Sequence, residues 1–388
     1  MFRFIFKTRL VQQRTIDFNI NYSNVRYLQT LQSVNSIAAP TGDQQSLTVS
    51  YLSNACGLSL EKAIKASKLV DIKNTQKPNS VRQLLRSHGF ATSHITSLVS
   101  KNPSILLADA DKNLKPKMEY FESVGIRGPF LPKFLCSDKR ILKSSLKNHI
   151  IPTFDFLRGF VETNENLISA LKQSTRVIGN NVQKHMGPNL NTLRAHGVPE
   201  PHIVRLIMLK PQSLLLRADM FENVVNALKE MGFEPTSMSF IIGFRSMTNF
   251  GKSKWESKKE TLMSYGWSES DFLLAFKRQP ILMLCSVKKI RVLMDFFVKK
   301  MGLKSSDIVR CPNLLMFSLE RRIIPRVSAL KVVMSKKLSK KDIDVVWYLN
   351  MSKKDFEKRF LTCYMDGNPE VMEAYKSSLD SRDSFIGF

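Results

Sequence analysis

The chain has 388 residues, and its 59 Lys+Arg against 33 Asp+Glu give a formal net charge of +26, an excess that points to a polyanionic partner, nucleic acid before acidic lipid. A hydrophobic content of 43% excludes wholesale disorder. Five scattered cysteines (Cys56, Cys136, Cys285, Cys311 and Cys363) with no C-x-x-C pair argue against a disulfide framework, a zinc ribbon or an iron–sulfur centre, and no uncharged apolar run reaches the roughly 18 residues of a membrane span.

Residues 1–45 stand apart. Arg3, Lys7, Arg9 and Arg14 precede the first acid, Asp17, and alternate with Phe2, Phe4, Ile5, Phe6, Leu10 and Val11. Ser, Thr, Asn and Gln follow. A basic, acid-poor, amphipathic start of this kind predicts an organelle transit peptide. Lys7 and Arg9 interrupt the apolar core that a secretory signal needs. The Phe-rich, Arg-bearing start favours mitochondria over chloroplasts.

The body repeats. One apolar position recurs as Leu85, Phe121, Leu157, Leu193, Leu228, Leu262 and Phe297, at spacings of 34 to 36 residues. Glycine follows four residues later at Gly89, Gly125, Gly197, Gly232 and Gly266; Val161 breaks the series and Gly302 comes one residue late. Eighteen residues after the apolar anchor stands Pro103, Pro211 or Pro280, with Pro312 fifteen residues on in the last repeat. Lys139, Thr175 and Arg245 replace this proline in repeats two, three and five. Leucine-rich triplets follow, such as Leu214-Leu215-Leu216. A second proline recurs as Pro116, Pro152, Pro188 and Pro325.

These marks predict an all-α unit. Apolar residues at helical spacing precede each glycine, and glycine closes the helix in the left-handed conformation. A second helix follows, with Ser268 and Asp271 spaced as a capping box and Pro199 and Pro235 placed for first helical turns. Proline stops that helix, the leucine cluster makes a short third helical turn, and the second proline is expected to open the next repeat. No stretch alternates with period two. A unit of about 35 residues cannot bury its apolar face alone, so stacked copies in an α-solenoid superhelix are expected. Seven units cover residues 81–328. Residues 46–80 read as a degenerate opening unit, 329–376 as a helical cap and 377–388 as a frayed tail.

The chain resembles the mitochondrial transcription termination factor family in its plant form. The segments that carry the likeness are Ser50–Ser59, Val81–Leu107 with its Gly-Phe and Asn-Pro-Ser-Ile-Leu-Leu, and Cys311–Phe317. The resemblance covers residues 46–376. It implies a left-handed superhelix of three-helix repeats that binds double-stranded DNA or organellar RNA. It also implies a role in transcription, its termination, intron splicing or ribosome biogenesis, with organellar factors of those processes as partners.

No catalytic constellation stands out. The six histidines do not gather with cysteines or carboxylates at ligand spacing, and no Gly-rich phosphate loop is present. Neither an enzyme nor a cofactor is expected, and a monomer is. The cysteines, methionines and phenylalanines read as core. The basic residues, by contrast, keep the repeat register. Nine residues after the first proline position stand Lys112, Lys184, Lys254, Lys289 and Arg321; repeat two has Lys147 at eight, and repeat four has Arg217 nearby. Equivalent positions in a solenoid project along one line, so a basic ladder is expected, its rungs about 10 Å apart for stacked helices and suited to a phosphate track. Solvated lysines are the plain alternative. Cations at helix N-termini are unfavourable unless an anion is expected there. Arg217, Arg291, Arg321 and Arg322 are the candidates for base contact, since guanidinium pairs bidentately with guanine. Residues 251–360 hold 25 Lys+Arg and 11 Asp+Glu, which weights the track toward the C-terminal half. The rival readings are a protein-interaction scaffold in an organellar ribonucleoprotein and a single-strand RNA reader of the pentatricopeptide type.

Overall fold

A computed structural model describes residues 47–339 and 342–380. The expected transit peptide of residues 1–45 lies outside them, as do the last eight residues of the expected tail. The described residues are helical, with no strand among them. They form two compact units, one ending at Val225 and the other starting at Asn226, a division that falls within the helix Ala218–Glu230.

The repeat grammar appears directly in the backbone. The helix Gln76–Ser87 ends at Gly89, φ +80°, where the Phe90 amide donates back to the Leu85 carbonyl at 3.0 Å. A residue with a Cβ pays a steric cost in that left-handed conformation. Gly125, Gly197, Gly232, Gly266 and Gly302 all have positive φ. Repeat three has Val161 in place of the closing glycine, and there the left-handed residue is Glu162, φ 59°, one residue later. The extra residue before Gly302 is absorbed by a wide π-turn, Asp295–Lys300, in which the Met301 amide reaches the Phe296 carbonyl.

Second helices follow, such as Thr92–Lys101, Glu200–Leu209 and Glu269–Arg278. The last begins with the expected capping box: the Asp271 amide donates to Ser268 Oγ at 3.1 Å and the Ser268 amide to Asp271 Oδ2 at 2.9 Å. Pro199 directly precedes its helix. Pro235 does not enter one: it lies in a turn, because Ser237 caps the helix Met238–Met247 and fixes its start later.

Where the first proline is present, the third element is a 3-10 turn: Pro103–Leu107, Pro211–Leu215, Pro280–Leu284 and Pro312–Met316. Without it the turn shrinks to Thr175–Val177 in repeat three, and repeats two and five have none. The second proline does not open a helix. Pro116, Pro152 and Pro325 lie one and a half turns inside, each preceded by a π-turn: Ala110–Leu114, Leu146–Ile150 and Leu319–Ile323. Proline cannot donate to the carbonyl four residues back and its ring crowds that carbonyl, so the helix widens to bonds five residues long, such as Leu114 N–H to the Asp109 carbonyl. The first helices therefore begin about six residues earlier than the prolines suggest.

Every anchor from Leu85 to Phe297 is at most 1% exposed. Each such burial contributes about 1.5–3 kcal/mol. Cys56 and Cys136 are buried as read from the sequence, whereas Cys363 is exposed. The chain closes with the helix Ile324–Ser335 packed against Pro369–Asp380.

Candidate nucleic-acid interface

The earlier helix start decides where the ladder residues stand. In four of the first helices the capping side chain is three residues before a ladder position. Asp109 accepts from the Lys112 amide at 2.8 Å and Asn181 from the Lys184 amide at 3.0 Å. Ser286 and Ser318 do the same for Lys289 and Arg321, each at 3.1 Å. Ser145 caps Asn148, one residue beyond Lys147. The cations thus sit in the first turn of their helices, where the macrodipole opposes a positive side chain.

In the unit ending at Val225, Lys112, Lys147 and Lys184 are all exposed, on three successive first helices. None of the three ammonium groups has a partner among the described residues. Arg217 is exposed but forms an ion pair with Asp219 at 2.7 Å, so part of its charge is already answered. In the other unit Lys254, Arg291 and Arg321 are exposed, with side chains free of hydrogen bonds among the described residues.

Two expected contacts are otherwise employed. Lys289 is half-buried and its Nζ donates to the Met316 carbonyl at 2.5 Å. Arg322 lies over the Phe317 ring, 3.6 Å from its centroid, and donates to the Asn350 and Met351 carbonyls. Burial pushes its guanidinium below the usual range. Both side chains are engaged on backbone carbonyls rather than held free for a phosphate or base contact.

The histidines in register meet carboxylates of the following repeat: His88 Nδ1 lies 2.9 Å from Glu122, and His196 Nε2 lies 2.8 Å from Glu222. Among the described residues no three His, Cys, Asp or Glu side chains gather as a metal site, and no helix is long and apolar enough to cross a membrane.

The sequence model of the mTERF family matches residues 83–245 and 246–357, most of the repeat array. The chain belongs to the mTERF family. A relative from Arabidopsis thaliana, named transcription termination factor MTERF8, chloroplastic, is 18% identical over 227 residues. The aligned region is 58% of this chain and 45% of that relative, so the chain spans less than half the relative's length.

This mTERF chain also carries a series of internal polar residues, three of them cations, that the sequence reading passed over. Four residues before the anchor, where Val81, Val224 and Leu293 are apolar, stand Lys117, Thr153, Asn189 and Lys258, and Arg326 stands likewise four before the buried Leu330 of the helix Ile324–Ser335. All five are at most 5% exposed. Lys117 Nζ donates to the Leu142 carbonyl at 2.7 Å, Asn189 Nδ2 to the Leu214 and Leu216 carbonyls at 2.9 and 2.8 Å, and Lys258 Nζ to the Met283 carbonyl at 2.5 Å. Arg326 donates to the carbonyls of Tyr348, Leu349, Met351 and Ser352. The short turn after each second helix leaves carbonyls without helical donors, and buried carbonyls need partners. In repeat seven the position is Leu293, and Lys289, one turn earlier, supplies the bond instead. The signal was present in the sequence: a polar residue recurring four before a buried leucine or phenylalanine.

Proposed function

We propose that this mTERF protein binds nucleic acid, double-stranded DNA or structured organellar RNA, and acts without catalysis in organellar gene expression. Transcription termination is the process named for its Arabidopsis relative; intron splicing and ribosome biogenesis are further processes that the family resemblance implies. The observation that carries the reading is the row Lys112, Lys147 and Lys184. These are three unpartnered cations at equivalent helix starts, where positive charge is unfavourable without an anion. Lys254, Arg291 and Arg321 extend the same chemistry in the other unit. Phosphate contacts of this kind supply affinity and are strongly salt-dependent.

The test is anisotropy of a labelled 20-base-pair duplex titrated with the full chain at several salt concentrations. Binding should fall steeply with salt, with a log–log slope of about −3 or steeper on DNA if three or more phosphates are neutralised. Absence of duplex binding at low salt would favour a protein scaffold, and a clear preference for single strands would favour a single-strand RNA reader.

Residues 1–45 are proposed to direct the protein to mitochondria. Fusing residues 1–50 to a fluorescent protein should place the signal in mitochondria; a plastid signal would match the compartment named for the relative and overturn this assignment.

A further inference from the structure

A concavity of about 420 Å³ opens on the closing cap. Its walls include the rings of Trp347, Tyr348 and Tyr364 and the carboxylates of Asp342 and Asp344, and among the described residues no basic side chain lines it. Trp347 is 48% exposed, unusual for the largest apolar side chain in a folded cap. It is held edge-on to Tyr348, ring centroids 4.8 Å apart, and Tyr348 in turn packs on Phe360 at 4.9 Å. The rings are thus fixed by packing rather than by a ligand. Asp342 has no partner among the described residues. Asp344 accepts from the Trp347 amide at 3.0 Å, which anchors one carboxylate beside the indole.

The chemistry of this lining is opposite to that of the rest of the chain. Aromatic faces carry negative electrostatic potential and attract ammonium or guanidinium groups. Two carboxylates beside them strengthen that attraction and repel phosphate. A chain with net charge +26 repels basic partners in general, so an acidic, ring-lined hollow is where one can approach. We propose that this concavity seats a lysine or arginine side chain from a basic segment of a partner protein. It is a protein-docking site separate from the nucleic-acid row, and it does not depend on that row being correct.

The probe is a fluorescein-labelled peptide, Gly-Ser-Arg-Lys-Arg-Ser-Gly, with a Glu-for-basic control, titrated with the full chain free of nucleic acid. Saturable binding with a Kd of roughly a millimolar or tighter is expected, with the emission of exposed Trp347 changing on binding while buried Trp255 and Trp267 stay constant. The double variant Asp342→Asn/Asp344→Asn should weaken binding about tenfold and stay folded, because asparagine caps a helix as well as aspartate. Trp347→Ala should weaken it about three- to thirtyfold, and Trp347→Phe less. Thermal melts by circular dichroism check that each variant is folded. The proposal is overturned if the Glu peptide binds equally, if folded variants keep wild-type affinity, or if the wild type shows no saturable binding. In one further arm Lys340 and Lys341, next in sequence to the site, are changed to serine. If only that variant binds the peptide, the chain's own lysines occupy the concavity and the partner proposal fails.

Discussion

Replacing Arg326 with methionine should destabilise the protein by about 2–4 kcal/mol, the largest loss expected from any single basic residue. Arg326 is 2% exposed and serves four carbonyls in the last turn of the helix Val345–Asn350 and just past it, Tyr348, Leu349, Met351 and Ser352, while lying 4.5 Å from the centroid of the Phe356 ring. Burial pushes its pKa down to about 10, with the Arg322 charge adding to the fall, so it remains charged at neutral pH. Methionine recovers much of the packing and removes the cost of a desolvated charge. It takes the donor from the Tyr348, Leu349 and Ser352 carbonyls, at about 1–3 kcal/mol for each that water cannot reach, while Met351 keeps its bond from Arg322. The lost donors outweigh the recovered desolvation because four acceptors share one guanidinium. Urea unfolding and thermal melts measure this, with a fall in Tm of about 5–10 °C expected. Lys289→Gln, losing one bond at a half-buried site, should cost about 1–2 kcal/mol, and the exposed Arg321→Gln less than about 0.5. Equal stability of all three variants would mean that the Arg326 carbonyls are hydrated and the internal series contributes nothing.

The contrast between Lys289 and Arg321 shows where sequence reasoning reaches its limit. Both stand at the same repeat position, and spacing alone makes them equivalent. What separates them is three-dimensional: the Met316 carbonyl lies under Lys289, and Leu293 fills the place where Lys258 or Arg326 reaches inward in other repeats. The anchors, glycines and first prolines were legible because each imposes a local requirement, burial, left-handed φ or a missing donor, that a repeat cannot avoid. The second proline misled the reading of helix starts. Its usual place is a first turn, and here a wide turn lets it sit deeper. Gly302 showed the same effect, one extra residue being absorbed by a π-turn rather than by a longer loop. The internal lysines were missed because a basic residue in a chain of net charge +26 draws no notice until its depth is known.

Changing Lys112, Lys147 and Lys184 together to glutamine should weaken binding to most duplex sequences alike and flatten the salt dependence. Each lost phosphate contact removes about 0.9 from the log–log slope on B-form DNA, so the triple variant should lose up to roughly 2.7. All three are exposed and their ammonium groups are unpaired among the described residues, which Lys289 and Arg322 are not; the row therefore tests phosphate contact without disturbing internal bonds. A matched control changes Lys62, Lys68 and Arg86, exposed cations of the same unit outside the register. Stability supplies an independent sign. Lysine in a first helical turn opposes the macrodipole by a few tenths of a kcal/mol, so the triple variant should be as stable as the wild type or slightly more so, while the control should not gain. A residue that costs the fold a little and the complex much is placed there for its ligand. Equal weakening by both triples would mean diffuse charge attraction with no row. No weakening by either would remove the phosphate track and leave the repeat surface to a protein partner.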